Sequence, residues 1–539
     1  MDQREERLNK AIGEWQDKLG KGKVLQGEAA AKRYCPSTVP LKRLIPAALL
    51  PEDLSEVTSI VNIATRHKVP LYPISTGNNW GYGSANPAKD WCVIVDMSGM
   101  NKIIDFDTEL GVITLEPGVT QRDLNRYLSE NNLPFLTPVT GAGPSCSILG
   151  NALERGYGIT PYSDHFGAVT SIEAVMANGR IYSSTLSALG GHEINRLYKY
   201  SPGPYIDGLF TQSNFGIVTK MTIMLARRPE KIETFIFTVK DEDGLEPTVR
   251  AVREVLESTA GITASINLMN TQRVLSMQAP YPHSEVNSQG VIPPAVLAKL
   301  AKKYGITAWT GVGALYGNKE IVSAARSVIK KILSPEVDKV TFLKHKLVRG
   351  GKRVLELIPS KHTEILTARA KILCESLNIV EGHPSEVALP LAYWRSAVTP
   401  PEDNKNPARD GCGLIWYAPL VPMKTDTVRH FVDMVREITP KYGIEPLITL
   451  TSLSQRCFDS TVPILYNRAN EGAAENAKKC YIALFEAGRK AGFLPYRMGV
   501  QSMDMLFNTD QESTAWELIG KIKDAVDPDM IISPGRYSR

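Results

Sequence analysis

Apolar residues at Val57, Ile60, Val61 and Ala64 recur at helical spacing, directly after the acidic stretch Pro51-Glu-Asp-Leu-Ser-Glu. That spacing predicts an amphipathic helix running to about His67, with one apolar face turned inward. The pattern then shifts to short apolar runs at 69–74, 92–96, 101–107 and 111–118, which read as strands. A second helix is expected over 120–131, with Leu124, Tyr127 and Leu128 inward, and a hairpin over 174–183 about Asn178-Gly179. Residues 1–35 read as a polar helix. From about Lys231 the texture changes. Strands at 233–239, 263–269, 306–315 and 339–347 alternate with helices at 246–258 and 318–333. The order recurs over 413–421, 424–442, 445–453 and 471–491, which suggests an internal duplication. Two strand–helix–strand sets in one segment predict an antiparallel sheet covered by helices. The polar, proline-rich stretch 399–411 between them reads as an exposed loop.

Length changes the picture by requiring more than one core, since 539 residues suggest two to four domains. Composition is that of a folded, water-soluble chain, 43% hydrophobic and 22% charged. The net charge of +5 is spread along the chain rather than gathered in a patch, so no nucleic-acid partner is expected. Seven cysteines without a C-x-x-C pair point to reduced thiols, a cytoplasmic setting and no metal site. The charged N-terminus shows no signal peptide, and no run of 18 apolar residues predicts a membrane span.

The stretch Pro73-Ile-Ser-Thr-Gly-Asn-Asn-Trp-Gly-Tyr-Gly-Ser-Ala-Asn-Pro87 carries the first chemical signal. Its glycines at 77, 81 and 83 let the backbone turn with positive φ and approach a ligand closely. Successive N–H groups in such a turn form a nest for an anion, so a diphosphate is a natural guest. The stretch is neither a Walker loop nor a G-x-G-x-x-G fingerprint, which disfavours a P-loop and a dinucleotide Rossmann site. A glycine-rich surface turn is the plain alternative.

Three further stretches follow in order: Gly150-Asn-Ala-Leu-Glu-Arg-Gly-Tyr-Gly-Ile-Thr-Pro-Tyr-Ser-Asp-His-Phe166, Gly208-Leu-Phe-Thr-Gln-Ser-Asn-Phe-Gly-Ile-Val-Thr-Lys220, and Asp527-Pro-Asp-Met-Ile-Ile-Ser-Pro-Gly-Arg536. With the glycine loop they resemble the vanillyl-alcohol oxidase / 4-cresol dehydrogenase family of FAD-linked oxidoreductases. The resemblance covers nearly the whole chain after about residue 40. It implies an α+β fold: an FAD-binding domain of two subdomains at 40–230, completed by 500–539, and a substrate or cap domain at 231–499 with an antiparallel sheet covered by helices. Residues 1–39 are left as a helical extension. The family implies that Ser75, Thr76, Gly77, Asn78, Asn79 and Gly81 hold the FAD diphosphate. It implies that Pro138, Gly143, Cys146, Gly150 and Asn151 run along the flavin, with Gly158 just after. Ile217 would sit in the strand completing the cofactor site, and Arg536 would close it from the C-terminal motif.

The resemblance also implies a reaction. Family members acting on 4-alkylphenols hold the phenolate oxygen with two tyrosines and an arginine, and the matching positions are Tyr82, Tyr496 and Arg497. A guanidinium and two phenol donors favour the phenolate. The phenolate pushes electrons to the para carbon, easing loss of a benzylic hydride to flavin N5. Departures from the family pattern open a second route. The oxidase branch carries an Asp beside the flavin where this chain has Gly141-Ala142, and pocket carboxylates of the cresol branch match Ala388 and Thr449, with Glu386 close by. Without them, a non-phenolic, biosynthetic alcohol gains weight as substrate. The His that tethers FAD in relatives matches Leu414, and the tethering Tyr falls near Ala392-Tyr393. A Tyr393 link and noncovalent FAD therefore both stay open, with Arg395 expected to face the flavin pyrimidine. Cys146 could link flavin or be a small buried thiol, and Asp164-His165 could be catalytic or could orient its loop. The expected partners are a small-molecule substrate and a second copy in a homodimer. The electron acceptor is either dioxygen or an electron-transfer protein.

Overall fold

The computed structural model describes residues 3–357, 364–507 and 513–538. The helix expected after Pro51 spans Leu54–His67. Asp53 caps it by accepting from the N–H of Glu56, and Lys68 ends it in the left-handed region. Val57, Ile60, Val61, Ile63 and Ala64 form its buried face. The strand Leu71–Ile74 follows and pairs in parallel with Val93–Asp96, at the edge of a four-stranded sheet completed by Val24–Gln26 and Ala47–Leu49. A five-stranded antiparallel sheet holds Ile103–Asp107, Val112–Leu115, Gly216–Met224, Val169–Met176 and Ile181–Ser183, in that order.

The third sheet lies within 231–466. Its first half runs in the order Lys339–Leu343, Lys231–Val239, Trp309–Gly317, Asn267–Asn270. Its second half continues as Thr449–Ser452, Cys457–Tyr466, Gly413–Tyr417, with Leu420–Pro422 also paired to Cys457–Tyr466. Asn267–Asn270 pairs antiparallel with Thr449–Ser452 and so joins the two halves. Phe235 and Phe237 lie opposite Gly313 and Gly311, and each ring fills the space a Cβ would take, 2.5 Å and 1.9 Å away. Large rings over cross-strand glycines keep the paired strands close without a clash.

Several elements differ from the sequence reading. In place of the single helix expected over 1–35, the described residues form two, Gln3–Leu19 and Gly27–Tyr34, because Gly20 turns with φ +87°. The strand expected over 339–347 ends at Leu343, and a helix, His345–Leu357, follows. The helices Pro294–Tyr304 and Glu364–Val380 and the central strand Cys457–Tyr466 had no clear pattern, the strand because Asp459 and Pro463 both interrupt it.

The C-terminal segment returns to the first sheet. Leu71 donates to the Ile531 carbonyl at 2.7 Å, and Ser533 donates to the Leu71 carbonyl at 2.8 Å. A buried Lys523 secures the return, donating to Asp527 at 2.5 Å and to the carbonyls of Asn214 and Ile532 at 2.6 and 3.0 Å. Among the described residues no helix is long and apolar enough to cross a membrane.

Candidate active site

The chain leaving Ile74 opens into a cleft. Four parts of the sequence line it: Ser75 to Asn79, Cys146 with Gly150 and Asn151, Ile217 with Val218, and the arginines Arg497 and Arg536. Gly77 turns there with φ +70°, and a Cβ on Gly150 would stand only 2.8 Å from Ser75 Oγ, so the two loops touch. Asn78 fastens them further by donating to both the carbonyl and the hydroxyl of Ser145 at 3.0 Å. Among the described residues, the N–H groups of Thr76, Gly77, Asn78 and Asn79 find no acceptor within the chain. Adjacent free donors facing one cleft, with a guanidinium at its wall, make an anion site.

Glu154 ties that cleft to a second, deeper group. It pairs with Arg536, which also donates to the Tyr72 hydroxyl at 3.1 Å. Its other oxygen lies 3.2 Å from Arg497 Nε. Burial works to raise the Glu154 carboxyl, but Arg536 and then Arg497 outweigh it and hold the group below the usual carboxylate range. Arg497 reaches on to the Asn79 side-chain oxygen, and its guanidinium lies 4.1 Å over the ring of Tyr82. Tyr496 packs its ring 5.7 Å from that of Tyr157. Burial pushes the Tyr82 and Tyr496 hydroxyls above their ordinary range, so both stay protonated donors.

A carboxyl group on the strand Cys457–Tyr466 lies within electrostatic reach of Tyr82, Tyr496 and Arg497. Asp459 is fully buried, and neither of its oxygens has a hydrogen-bond partner. The strip Ala418–Pro419 holds it beside Tyr496: Ser460 donates to the Pro419 carbonyl at 2.9 Å, and Tyr496 donates to the Ala418 carbonyl at 3.3 Å.

Comparison with known proteins places this geometry. Residues 45–185 match the family model described as FAD binding domain. The chain is 36% identical to 1'-carboxy-chondrochloren decarboxylase of Chondromyces crocatus over 98% of its length and 97% of the relative's. It is 29% identical to the 4-cresol dehydrogenase [hydroxylating] flavoprotein subunit of Pseudomonas putida, over 98% and 95%. The solved structure of p-cresol methylhydroxylase with substrate bound superposes with a TM-score of 0.86 at 27% identity, covering 98% of this chain and 96% of that one. The chain belongs to the vanillyl-alcohol oxidase / 4-cresol dehydrogenase family. It is an FAD-dependent oxidoreductase. The residues present fit the cofactor: the free donors of the glycine loop suit a diphosphate, and the cleft is long enough to run past both glycine loops.

Within this family frame, the structure separates the expected site residues into groups. Ser75, Thr76, Gly77, Asn78, Asn79, Cys146, Gly150, Asn151, Ile217 and Arg536 line the cleft. Gly81 does not. Its N–H donates to Thr38 Oγ1 at 2.7 Å, and a Cβ on it would meet the Trp416 ring at 2.2 Å. Pro138 lines a small adjoining cavity with Asn151 and His165. Gly143 packs under Leu389, and Gly158 against the Val139 carbonyl and His165.

Tyr393 and Arg395 stand away from the cleft, unlike the expectation. The short helix Pro390–Tyr393 turns the tyrosine hydroxyl onto Asp410 at 2.6 Å. Arg395 donates to the carbonyls of Gly443 and Gly290 and stacks 5.0 Å over Tyr281. Glu386 is engaged by Lys405 at 3.1 Å. Asn151 donates to His165 Nδ1 at 2.5 Å, and burial pulls His165 down to about 4, so it is a neutral ring within the loop. Burial likewise raises the Cys146 thiol, which disfavours a reactive thiolate. Two residues went unnoticed in the sequence. Glu154 lies inside the second motif, where its charge between two glycine-rich turns was a usable signal. Asp459 lies on a strand whose pattern gave none.

Proposed function

We propose that this enzyme removes a hydride from the benzylic or allylic carbon of a para-substituted phenol, with Tyr82, Tyr496 and Arg497 holding the phenol oxygen. The observation that carries this reading is that Arg497, which lines the cleft, sets its guanidinium 4.1 Å over the ring of the buried Tyr82, with Tyr496 its neighbour in sequence. Two protonated tyrosines and a fixed positive charge lower the pKa of a phenol placed among them. FAD, when bound, supplies the hydride acceptor. Ser75 to Asn79 and Arg536 would hold its diphosphate, and Gly150, Asn151, Cys146 and Ile217 would flank it. With Tyr393 turned to Asp410, noncovalent FAD is the better-supported form. Residues 40–230 with 500–539 would form the cofactor domain, and 231–499 the cap. The seven free cysteines support a cytoplasmic setting. A homodimer passing electrons to dioxygen or to an electron-transfer protein completes the reading.

One observation favours a second reading. The relative at 36% identity is named a decarboxylase, so a biosynthetic substrate with a repurposed pocket fits the same loops. Anaerobic mixing with 4-cresol and with its O-methyl ether separates the two. The first reading expects flavin reduction by the phenol and none by the ether. Equal reduction by both, or by neither, moves the weight to the second.

A further inference from the structure

Asp459 is the one carboxyl in the group around Tyr82, Tyr496 and Arg497 with no partner on either oxygen. It sits on a central strand, opposite Leu420 on one side and Thr451 on the other, neither of which can titrate. The titratable groups that feel its charge are Tyr82 and Tyr496, and the cation that acts on it is Arg497. An unpaired buried carboxyl is costly if ionised and is retained where a ligand completes its bonding.

Charge decides which form serves. Arg497 is the cation that acts on Asp459, and it already shares Glu154 with Arg536. An ionised Asp459 would set a second negative charge against a phenolate held there. A neutral Asp459 avoids that repulsion and adds an O–H donor. We propose that Asp459 works as a carboxylic acid, donating a hydrogen bond to the phenol oxygen of the bound substrate. This rests on the phenol reading above and adds a fourth donor to its oxygen site. Burial, against the pull of Arg497, pushes the Asp459 carboxyl well above the usual carboxylate range, as that role requires. No bond to carbon changes at this step. The substrate oxygen carries the negative charge, and the proton stays on the Asp459 oxygen.

The test uses the FAD-loaded enzyme and 4-nitrophenol, which has no benzylic hydrogen to lose and whose anion is coloured. Phenolate affinity is measured against pH, above the ligand's own ionisation. In the wild type, affinity falls up to about tenfold per pH unit once Asp459 ionises, because binding must then take up a proton. Asp459→Asn, which keeps a neutral donor, loses that alkaline limb and binds as well at high pH as at low. Asp459→Leu, which keeps the branched shape and removes the donor, binds roughly tenfold or more weakly than the wild type at pH values below that limb. The inference is overturned if Asp459→Asn keeps the wild-type limb, or if Asp459→Leu binds as tightly as the wild type below that limb. If the wild type binds no phenolate at any pH, the phenol reading falls with it, whereas binding without the Asp459 effects removes this inference alone.

Discussion

Replacing Arg497 with alanine probes the pocket at the point where its charge is concentrated. The side chain makes three contacts here: an ion pair to Glu154 at 3.2 Å, a bond to Asn79, and the stacking contact 4.1 Å over Tyr82. Glu154 keeps Arg536 after the substitution, so the cofactor wall and the fold should hold. On the proposed reading, the substrate oxygen loses its cationic partner. Removing one such donor from a buried oxyanion site costs about 3 kcal/mol, and Glu154 then faces the phenolate with a further repulsion of order 1 kcal/mol. Together these lower the rate of anaerobic flavin reduction by a para-alkylphenol by ~10²–10³-fold. The assay is rapid-mixing spectroscopy on protein with its flavin content measured first. Arg497→Lys should recover part of the loss, because it restores the charge without the planar fork. The reasoning is refuted if Arg497→Ala retains flavin and reduces it within about threefold of the wild-type rate.

Three other outcomes follow from the same structure. Lys523→Met leaves Asp527 buried without its cation and releases two carbonyl contacts that hold the C-terminal return, so stability should drop by about 3–5 kcal/mol in denaturant unfolding. Gly81→Ala places a methyl 2.2 Å from the Trp416 ring at a residue with φ +79°, and should cost roughly 2–4 kcal/mol while leaving the diphosphate loop in sequence intact. For pH, burial tends to raise Glu381, but hydrogen bonds from His345 and Arg349 hold it down at about 2. A depressed carboxyl stabilises the fold above its unfolded pKa, and that contribution disappears as pH falls through the folded value. The melting temperature should therefore decline between about pH 4.5 and pH 2, with a shallower decline in Glu381→Gln.

Local chemistry made part of this molecule readable in advance. The helix Leu54–His67 announced itself through its acidic start and one apolar face, and the glycine loop through residues suited to positive φ. The antiparallel sheet covered by helices showed in the alternation of strands and helices after Lys231. What joins Tyr82 to Arg497 is tertiary: the sheet within 231–466 and the return at Tyr496 bring them together, and no local period encodes that. Only the likeness to a family connected them. Asp459 was hidden for the opposite reason. Its charge within an apolar stretch, four residues before a proline, argues against a strand by every local rule, yet neighbouring strands bury it at the centre of the sheet. Tyr393 shows the limit of positional matching, since a one-turn helix is enough to send its hydroxyl to Asp410 rather than to the cleft.

The most direct measurement is the visible spectrum of the purified protein under anaerobic conditions, before and after addition of 4-cresol, vanillyl alcohol or eugenol. A phenol-oxidising FAD enzyme shows an oxidised flavin spectrum that bleaches with at least one of these substrates, and releases its flavin into solution when denatured. A flavin that remains oxidised with all three phenols would contradict the account.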